Sequence, residues 1–174
     1  MGKLKFIVLA ALCVMLLSSA AYASSTVTVN PIGILFGIMS AEYETALSPS
    51  TTIGIEGLYW KPSLGSDFEL SALGLGGGMR KYLRGRAHEG FYLGGYLSYA
   101  SLTGTYKDDS ASVQVIGVSG RAGFKSVYNS GFVLDLGVGI GTPISTSISS
   151  GDFSESDVSG ALGTSFSIGL GYAW

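Results

Sequence analysis

Few side chains in this sequence could take part in chemistry. The main set is a group of carboxylates and cations that lie within apolar segments: Glu42, Glu44, Glu56, Arg80, Arg121, Lys125 and Asp135. Paired carboxylates can act as general acid and general base, but Glu42 and Glu44 are two positions apart with no nucleophile beside them. Buried charges must pair, because a lone buried ion costs several kcal/mol. We therefore expect an interior network of ion pairs, with Arg80 and Arg121 as cations. Their expected partners are Glu42, Glu56 and Asp135.

Histidine and cysteine, which carry much nucleophilic and metal chemistry, are almost absent. The sole histidine is His88, in the stretch RGRAHEG, which we place in a solvated turn. The sole cysteine, Cys13, lies in an N-terminal apolar run. No histidine and cysteine cluster and no calcium-loop spacing occurs in the sequence. We expect no catalytic site, no metal and no cofactor.

Strands must position the charged residues, because apolar residues recur with a period of two. In the last segment, small residues alternate with mainly large apolar residues that share one strand face. The residues of that face are Leu162, Thr164, Phe166, Ile168, Leu170, Tyr172 and Trp174. Similar alternation runs through residues 114–128 and 132–141. No segment shows a sustained period of 3.6 residues, so we expect almost no helix in residues 24–174.

Turn signals divide the chain into eight predicted strands. They are residues 25–33, 36–47, 51–61, 69–84, 90–106, 112–128, 131–143 and 160–174. If the first hairpin, near residues 34–37, does not turn, residues 30–47 form one strand and the count falls to seven. Residues 145–159 contain Asp152, Glu155 and Asp157 with no basic residue, and we expect a solvated acidic loop there.

The composition indicates which strand face lies inside. Glycine supplies 27 residues, and charged residues make up 13% of the chain, where about 25% is usual. In a soluble barrel the polar face covers the outside, but here that face is mostly glycine, serine and alanine. Membrane barrels have the inverse arrangement, with the apolar face toward lipid and closure leaving no strand edge unpaired. We predict an all-β fold: an eight-stranded antiparallel up-and-down transmembrane β-barrel over residues 24–174.

Residues 1–23 have the pattern of a cleaved signal peptide. Lys3 and Lys5 precede an apolar run from Phe6 to Leu17, and Ala21-Tyr22-Ala23 provides the expected cleavage site. The run is shorter than the ~20 residues that span a bilayer as a helix. Without the two lysines the chain has 8 basic against its 12 acidic residues, a net charge near −4. That balance argues against nucleic acid as a partner.

The C-terminal segment carries the assembly-related pattern, formed by Ser167, Gly169, Tyr172 and Trp174. It resembles the C-terminal signal of bacterial outer-membrane barrels. Residues 24–174 as a whole resemble the small outer-membrane β-barrel domain family of OmpA/OmpX-like proteins, and NPIGILFG, AEYETAL and GGGMRKYL are similar to opening strands of small barrels. The resemblance implies an outer-membrane location, contact with the barrel assembly machinery, and pairing of the last strand with the first. Because the sequence stops at Trp174, we expect no peptidoglycan-binding domain.

The resemblance implies location more than activity. We expect a monomer among outer-membrane lipids with a structural or envelope-maintenance role, since an eight-stranded interior is filled by side chains. A narrow pore or a transporter binding lipid or a small solute stays open, because glycines leave space on the inner face: Gly74, Gly76, Gly78, Gly137, Gly139 and Gly141. A lipid-modifying enzyme is the second alternative, disfavoured by the position of His88.

Overall fold

A computed structural model describes residues 24–62, 68–106, 109–149 and 162–174. The predicted signal peptide and residues 150–159 of the predicted acidic loop lie outside this part of the chain. The elements are β1 (Ser25–Val29), α1 (Pro31–Leu35), β2 (Ile38–Ser48), β3 (Thr51–Trp60), β4 (Phe68–Tyr82), β5 (Gly90–Tyr106), β6 (Asp109–Val127), β7 (Phe132–Ser149) and β8 (Gly163–Ala173). An all-β fold with almost no helix is confirmed for this part of the chain.

The eight strands form one antiparallel sheet in which each strand pairs with its neighbours along the chain. β8 also pairs with β1, from Thr26 opposite Ala173 to Val29 opposite Leu170. The hydrogen bonding therefore closes on itself and makes a barrel. Over the described ranges the predicted count of eight strands is confirmed, and the seven-strand alternative is wrong.

The first connection is a short helix, where the sequence predicted a tight hairpin. Asn30 caps α1 by accepting a hydrogen bond from the Gly33 backbone nitrogen at 2.9 Å, and Pro31 occupies the first turn. Asparagine is favoured at a helix start because its side-chain oxygen accepts a hydrogen bond from the first turn. Proline is favoured there because it lacks the N–H that a first turn leaves unbonded. Gly37 ends the connection with φ at 75°. β1 consequently stops at Val29, short of the predicted boundary at residue 33.

β6 and β7 are longer than their alternation predicted. β7 runs to Ser149, so residues 145–149 belong to a strand, and their assignment to the acidic loop was wrong. A register shift beside Ile116 and Gly117 lets the β6–β7 ladder continue past Pro143. The bulge explains why alternation did not predict the part of β7 beyond residue 143. An extra residue interrupts the period of two, and a proline normally signals a strand end.

The barrel has two unlike ends. The turn end carries the connections at residues 49–50, 83–89 and 128–131, and the loop end carries α1. The barrel wall is short on one side of the loop end, because β1 has 5 residues whereas β6 has 19. Within the described residues the β1–β8 ladder stops at Val29 and Leu170, so residues 163–169 of β8 extend beyond the end of β1.

The strand faces carry opposite chemistry. Large apolar side chains are exposed on the outside, including Ile55 (65%), Leu97 (57%) and Phe166 (67%). Among the described residues, the buried hydrophobic ones are Tyr82, Tyr92, Tyr96, Val133 and Ala173. The interior is therefore mainly polar. It is less uniformly small or charged than the sequence predicted, because Leu58, in alternation with Glu56, also lines the interior near the loop end.

Candidate functional site

The interior charge network consists of the seven residues predicted to pair, and the structure brings them together inside the barrel. They come from five strands: Glu42 and Glu44 from β2, Glu56 from β3, Arg80 from β4, Arg121 and Lys125 from β6, and Asp135 from β7. Glu44, Lys125 and Asp135 form a deep group near the turn end, with side chains at most 7% exposed. Glu42, Glu56 and Arg121 form a cavity-facing group that is 13 to 30% exposed.

Arg80 joins the two groups. Its Nη2 lies 2.6 Å from Glu42 Oε1, and its Nη1 lies 2.9 Å from Glu44 Oε2 and 2.6 Å from Asp135 Oδ2. Its Nε donates to the Tyr96 hydroxyl, and the guanidinium lies 4.4 Å from the centre of the Tyr92 ring. Three carboxylates therefore depend on one guanidinium, whose side chain is 3% exposed.

Glu44 is the acceptor around which the deep group is built. It accepts hydrogen bonds from Arg80, Lys125, Thr52 Oγ1 and the Tyr82 hydroxyl, the last at 2.7 Å. The sequence placed Glu44 on the inner face but did not name it as a main partner of the cations. The partner that the sequence did not reveal is Thr52, although alternation along β3 puts it on the same face as Glu56.

Lys125 ties the deep group to β1 and β7. Its Nζ donates to Thr26 Oγ1 at 3.1 Å and lies 3.3 Å from Asp135 Oδ2. Lys125 and Asp135 are direct cross-strand partners. This contact could have been found from the sequence, because counting outward from the Asn129-Ser130-Gly131 turn pairs the two positions.

The cavity-facing group is held by Arg121. Its Nη1 lies 3.2 Å from Glu42 Oε2 and its Nη2 lies 3.0 Å from Glu56 Oε2. The same guanidinium stacks over Tyr96, 4.3 Å from the ring centre. Stacking on an aromatic face suits the planar guanidinium and keeps its N–H groups free for the carboxylates.

His88 corrects a prediction made from the sequence. It does lie in the turn between β4 and β5, but it is 1% exposed and not solvated. The turn folds back against the barrel end, where the Ala87 nitrogen donates to the Pro49 carbonyl at 2.6 Å. His88 Nε2 lies 3.2 Å from the Ser24 carbonyl oxygen, and Nδ1 lies 3.7 Å from Glu44 Oε1. A single residue in an irregular turn has no periodicity that could have revealed this burial.

Burial lowers the pKa of His88 from its ordinary value, an effect that Glu44 partly opposes. The neutral ring is therefore favoured, and Nε2 carries the proton that a bond to the Ser24 carbonyl requires. His88 closes the turn end and faces the deep group.

The inner-face glycines make room for interior side chains. A Cβ at Gly137 would lie 2.7 Å from Ser167 Oγ and 2.9 Å from the Tyr92 hydroxyl, and one at Gly76 would lie 2.9 Å from Glu56 Cγ. These positions do not leave open space, because neighbouring side chains occupy it. At Gly74 a Cβ would meet Leu58 Cβ at an ordinary 3.4 Å, so the inner face is roomier there.

The arrangement is suited to charge pairing. Oxygen atoms of Glu42, Glu44 and Asp135 lie within 4.8 Å of one another, a grouping that could hold a metal ion. Arg80 contacts all three carboxylates, and Lys125 contacts two of them. Cationic side chains thus supply the positive charge that a metal would bring.

Ser167, Gly169 and Tyr172 of the C-terminal pattern lie on both faces of β8, and Trp174 directly follows the strand. Ser167 Oγ donates to the Gly137 carbonyl at 3.4 Å on the inside. A Cβ at Gly169 would lie 3.1 Å from Thr28 Oγ1, so that position also suits glycine. Tyr172 is 47% exposed on the outside, and the Trp174 ring lies 6.3 Å from that of Tyr43.

No protein-family model, curated protein or solved structure matches this chain. Among the described residues, no helix is both long enough and apolar enough to cross a membrane.

Proposed function

We propose that this chain is an integral β-barrel of the bacterial outer membrane, with a structural or envelope-maintenance role. The observation that carries the proposal is the inversion of the two faces: exposed apolar side chains outside and a paired charge network inside. Each large apolar side chain in water forgoes about 1.5–3 kcal/mol of burial. Lipid removes that cost for the whole outer surface.

Aromatic residues at the turn end support a membrane boundary there. Tyr43 lies against Trp174, Tyr128 against Phe132 at 5.7 Å, and Phe91 against Phe124 at 5.1 Å. Tyrosine and tryptophan favour the headgroup level, because one part of the ring is apolar and the other part can reach water. These pairs form part of an aromatic belt in the proposal.

A structural role is supported by the bonding of the interior groups. Arg80, Arg121 and Lys125 bind the interior carboxylates, and the hydroxyls of Tyr82 and Tyr92 bind Glu44 and Asp135. His88 Nε2 meets the Ser24 carbonyl oxygen. General-base activation needs a nucleophile within hydrogen-bond reach of the base, and a carbonyl oxygen does not serve as one.

The outer-membrane location is supported by the signal-peptide pattern of residues 1–23 and by Ser167, Gly169, Tyr172 and Trp174. The test is expression with the native leader in a Gram-negative host, followed by separation of inner and outer membranes. We expect the protein in the outer-membrane fraction as a band that migrates differently when boiled. Recovery from the periplasm without detergent would contradict the proposal.

Two further measurements separate the structural role from its alternatives. Reconstitution in planar bilayers should give no steady single-channel openings, whereas a regular conductance would replace the structural role by a pore. Mass spectrometry of membrane lipids with and without the gene should give the same acyl pattern, and a changed pattern would indicate a lipid-modifying enzyme.

A further inference from the structure

We propose that the loop-end half of the barrel interior is a binding site for a single-chain amphiphile with a cationic head group. The head group is placed at Glu56, and the hydrocarbon chain runs toward the end of β1. This inference goes beyond the proposed structural role and rests on the proposed membrane location, because its test is made in lipid nanodiscs.

The site is a cavity of about 340 Å³ directly above the cavity-facing group. This volume lies at the small end of the ~300–1,000 Å³ typical of small-molecule pockets. Its charged lining residues are Glu42, Glu56, Arg80, Arg121 and Asp135, and Leu58, Ala72 and Ala100 are among its wall residues. An apolar wall over a charged floor matches a molecule with one charged end.

The sign of the charge on the head group follows from the balance of charged residues in the barrel interior. Among the described interior residues, four carboxylates (Glu42, Glu44, Glu56 and Asp135) face three cations (Arg80, Arg121 and Lys125). The interior therefore has an excess of one negative charge when all seven are ionised. Burying an uncompensated charge is costly, and a bound cation removes the imbalance.

Glu56 is the carboxylate best placed to receive that cation. Its side chain is 30% exposed, against 13% for Glu42 and 1% for Glu44. Arg121 binds Oε2 of Glu56, while Oε1 lies beside Gly76, where a Cβ would come within 3.0 Å of it. Glu56 is thus the most exposed of the four carboxylates in the interior charge network.

The short strand β1 indicates where the hydrocarbon chain of the ligand would leave the barrel interior. The cavity is lined by Val29, Phe166 and Ile168 as well as by inner-face residues. Those three flank the place where the β1–β8 ladder stops. Within the described residues, positions 163–169 of β8 have no strand partner on their β1 side, so we place the exit of the chain there.

α1 adds apolar surface at the same place. Ile34, Leu35 and Phe36 are 54%, 81% and 70% exposed, and α1 contacts both β2 and β8. A hydrocarbon chain leaving the cavity past Phe166 would meet this surface. An alkyl chain, not a second polar group, therefore fits the end of the molecule away from Glu56.

The test uses octylammonium, octanoate and octanol as probes of equal chain length. The full-length folded protein is placed in phosphatidylcholine nanodiscs, and each probe is titrated by calorimetry against matched empty nanodiscs. A charge-assisted hydrogen bond is stronger than a neutral one, so octylammonium should bind roughly tenfold or more tightly than octanol. Octanoate should bind more weakly than octanol.

Two variants locate the site, each with a matched control. Glu56→Gln should remove the preference for octylammonium, whereas Glu69→Gln, an exposed glutamate paired with Lys61, should keep it. Gly74→Leu should fill the cavity and abolish binding of all three probes. Gly95→Leu, the matched control, should leave binding unchanged, because a Cβ at Gly95 meets nothing within 4 Å.

Heat-modifiable migration of each variant verifies folding before titration. If Glu56→Gln does not fold, Gly74→Leu still decides whether binding occurs in the cavity. Equal binding of the probes to wild-type protein and empty nanodiscs would overturn the site. Tighter binding of octanoate than of octylammonium would overturn the cationic head group.

Discussion

Glu42 and Glu56 lie directly opposite each other on β2 and β3, with both carboxylates inside the barrel. Like charges in this relationship repel and destabilise a sheet. Here one guanidinium, that of Arg121 from β6, lies 3.2 Å from the first carboxylate and 3.0 Å from the second. The pair is stable because a strand from elsewhere in the barrel supplies the bridging charge.

Replacing Arg121 should expose that repulsion. Arg121→Met is expected to lower the free energy of unfolding by about 1–3 kcal/mol, because two partly buried carboxylates lose a shared charged donor. Adding Glu56→Gln should recover part of the loss. Urea unfolding of the wild type, Arg121→Met, Glu56→Gln and the double variant, followed by tryptophan fluorescence, measures the coupling. A double variant as unstable as Arg121→Met would mean that repulsion between the carboxylates contributes nothing.

Removing Arg80 should cost more. Arg80→Ala leaves three buried carboxylates without their common partner, and we expect a loss of about 3–5 kcal/mol. The measurement is the temperature at which the heat-modifiable folded band disappears on a gel. Lys81→Ala is the matched control, because Lys81 is exposed and donates only to Ser50 Oγ among described side chains. Equal transition temperatures for the two variants would show that Arg80 does not hold the network.

Gly137 and Gly95 test the packing of the two faces. Gly137→Ala places a methyl group 2.9 Å from the Tyr92 hydroxyl, which donates to Asp135 Oδ1 at 2.9 Å. We expect a loss of about 1–3 kcal/mol from overpacking. Gly95→Ala points into open space and should be neutral or stabilising by up to about 1 kcal/mol. Urea midpoints compare them, and equal midpoints would show that the interior is not tightly packed at Gly137.

His88 should make stability depend on pH. The ring faces Glu44 of β2, Arg80 and Tyr82 of β4, Lys125 of β6 and the Ser24 carbonyl. Burial lowers its folded-state pKa below the ordinary 6.5. The unfolded chain therefore takes up a proton first as the pH falls, so stability is full above about pH 6.5 and declines below it. The slope for one proton is at most about 1.4 kcal/mol per pH unit.

The control for this dependence is His88→Asn. Residue 88 has φ at 63°, and asparagine adopts this left-handed conformation more readily than most residues. Unfolding midpoints at pH 7.5 and 5.5 should differ in the wild type and coincide more closely in the variant. An unchanged pH dependence in His88→Asn would assign the effect to other groups.

The sequence by itself determined the class of the fold. Period-two alternation identifies strands and assigns each residue to a face, because successive side chains on a strand point to opposite sides. That rule was enough to predict eight antiparallel strands and to put Glu56, Arg80 and Arg121 on one face. It failed at Pro143, where a bulge breaks the period, and at Asn30, where a helix cap replaces a turn.

For strands that no tight turn joins, the tertiary structure alone decided which charges meet. Lys125 binds Thr26, 99 residues away, and Arg121 binds Glu42, 79 residues away. Such contacts depend on the register of every intervening strand pair and on closure of β8 against β1, and a shift of one residue would turn a side chain to the other face. Alternation is a local property that the chain carries in its order of residues. Register, closure and the burial of His88 belong to the whole sheet, so they arise only when all eight strands are in place.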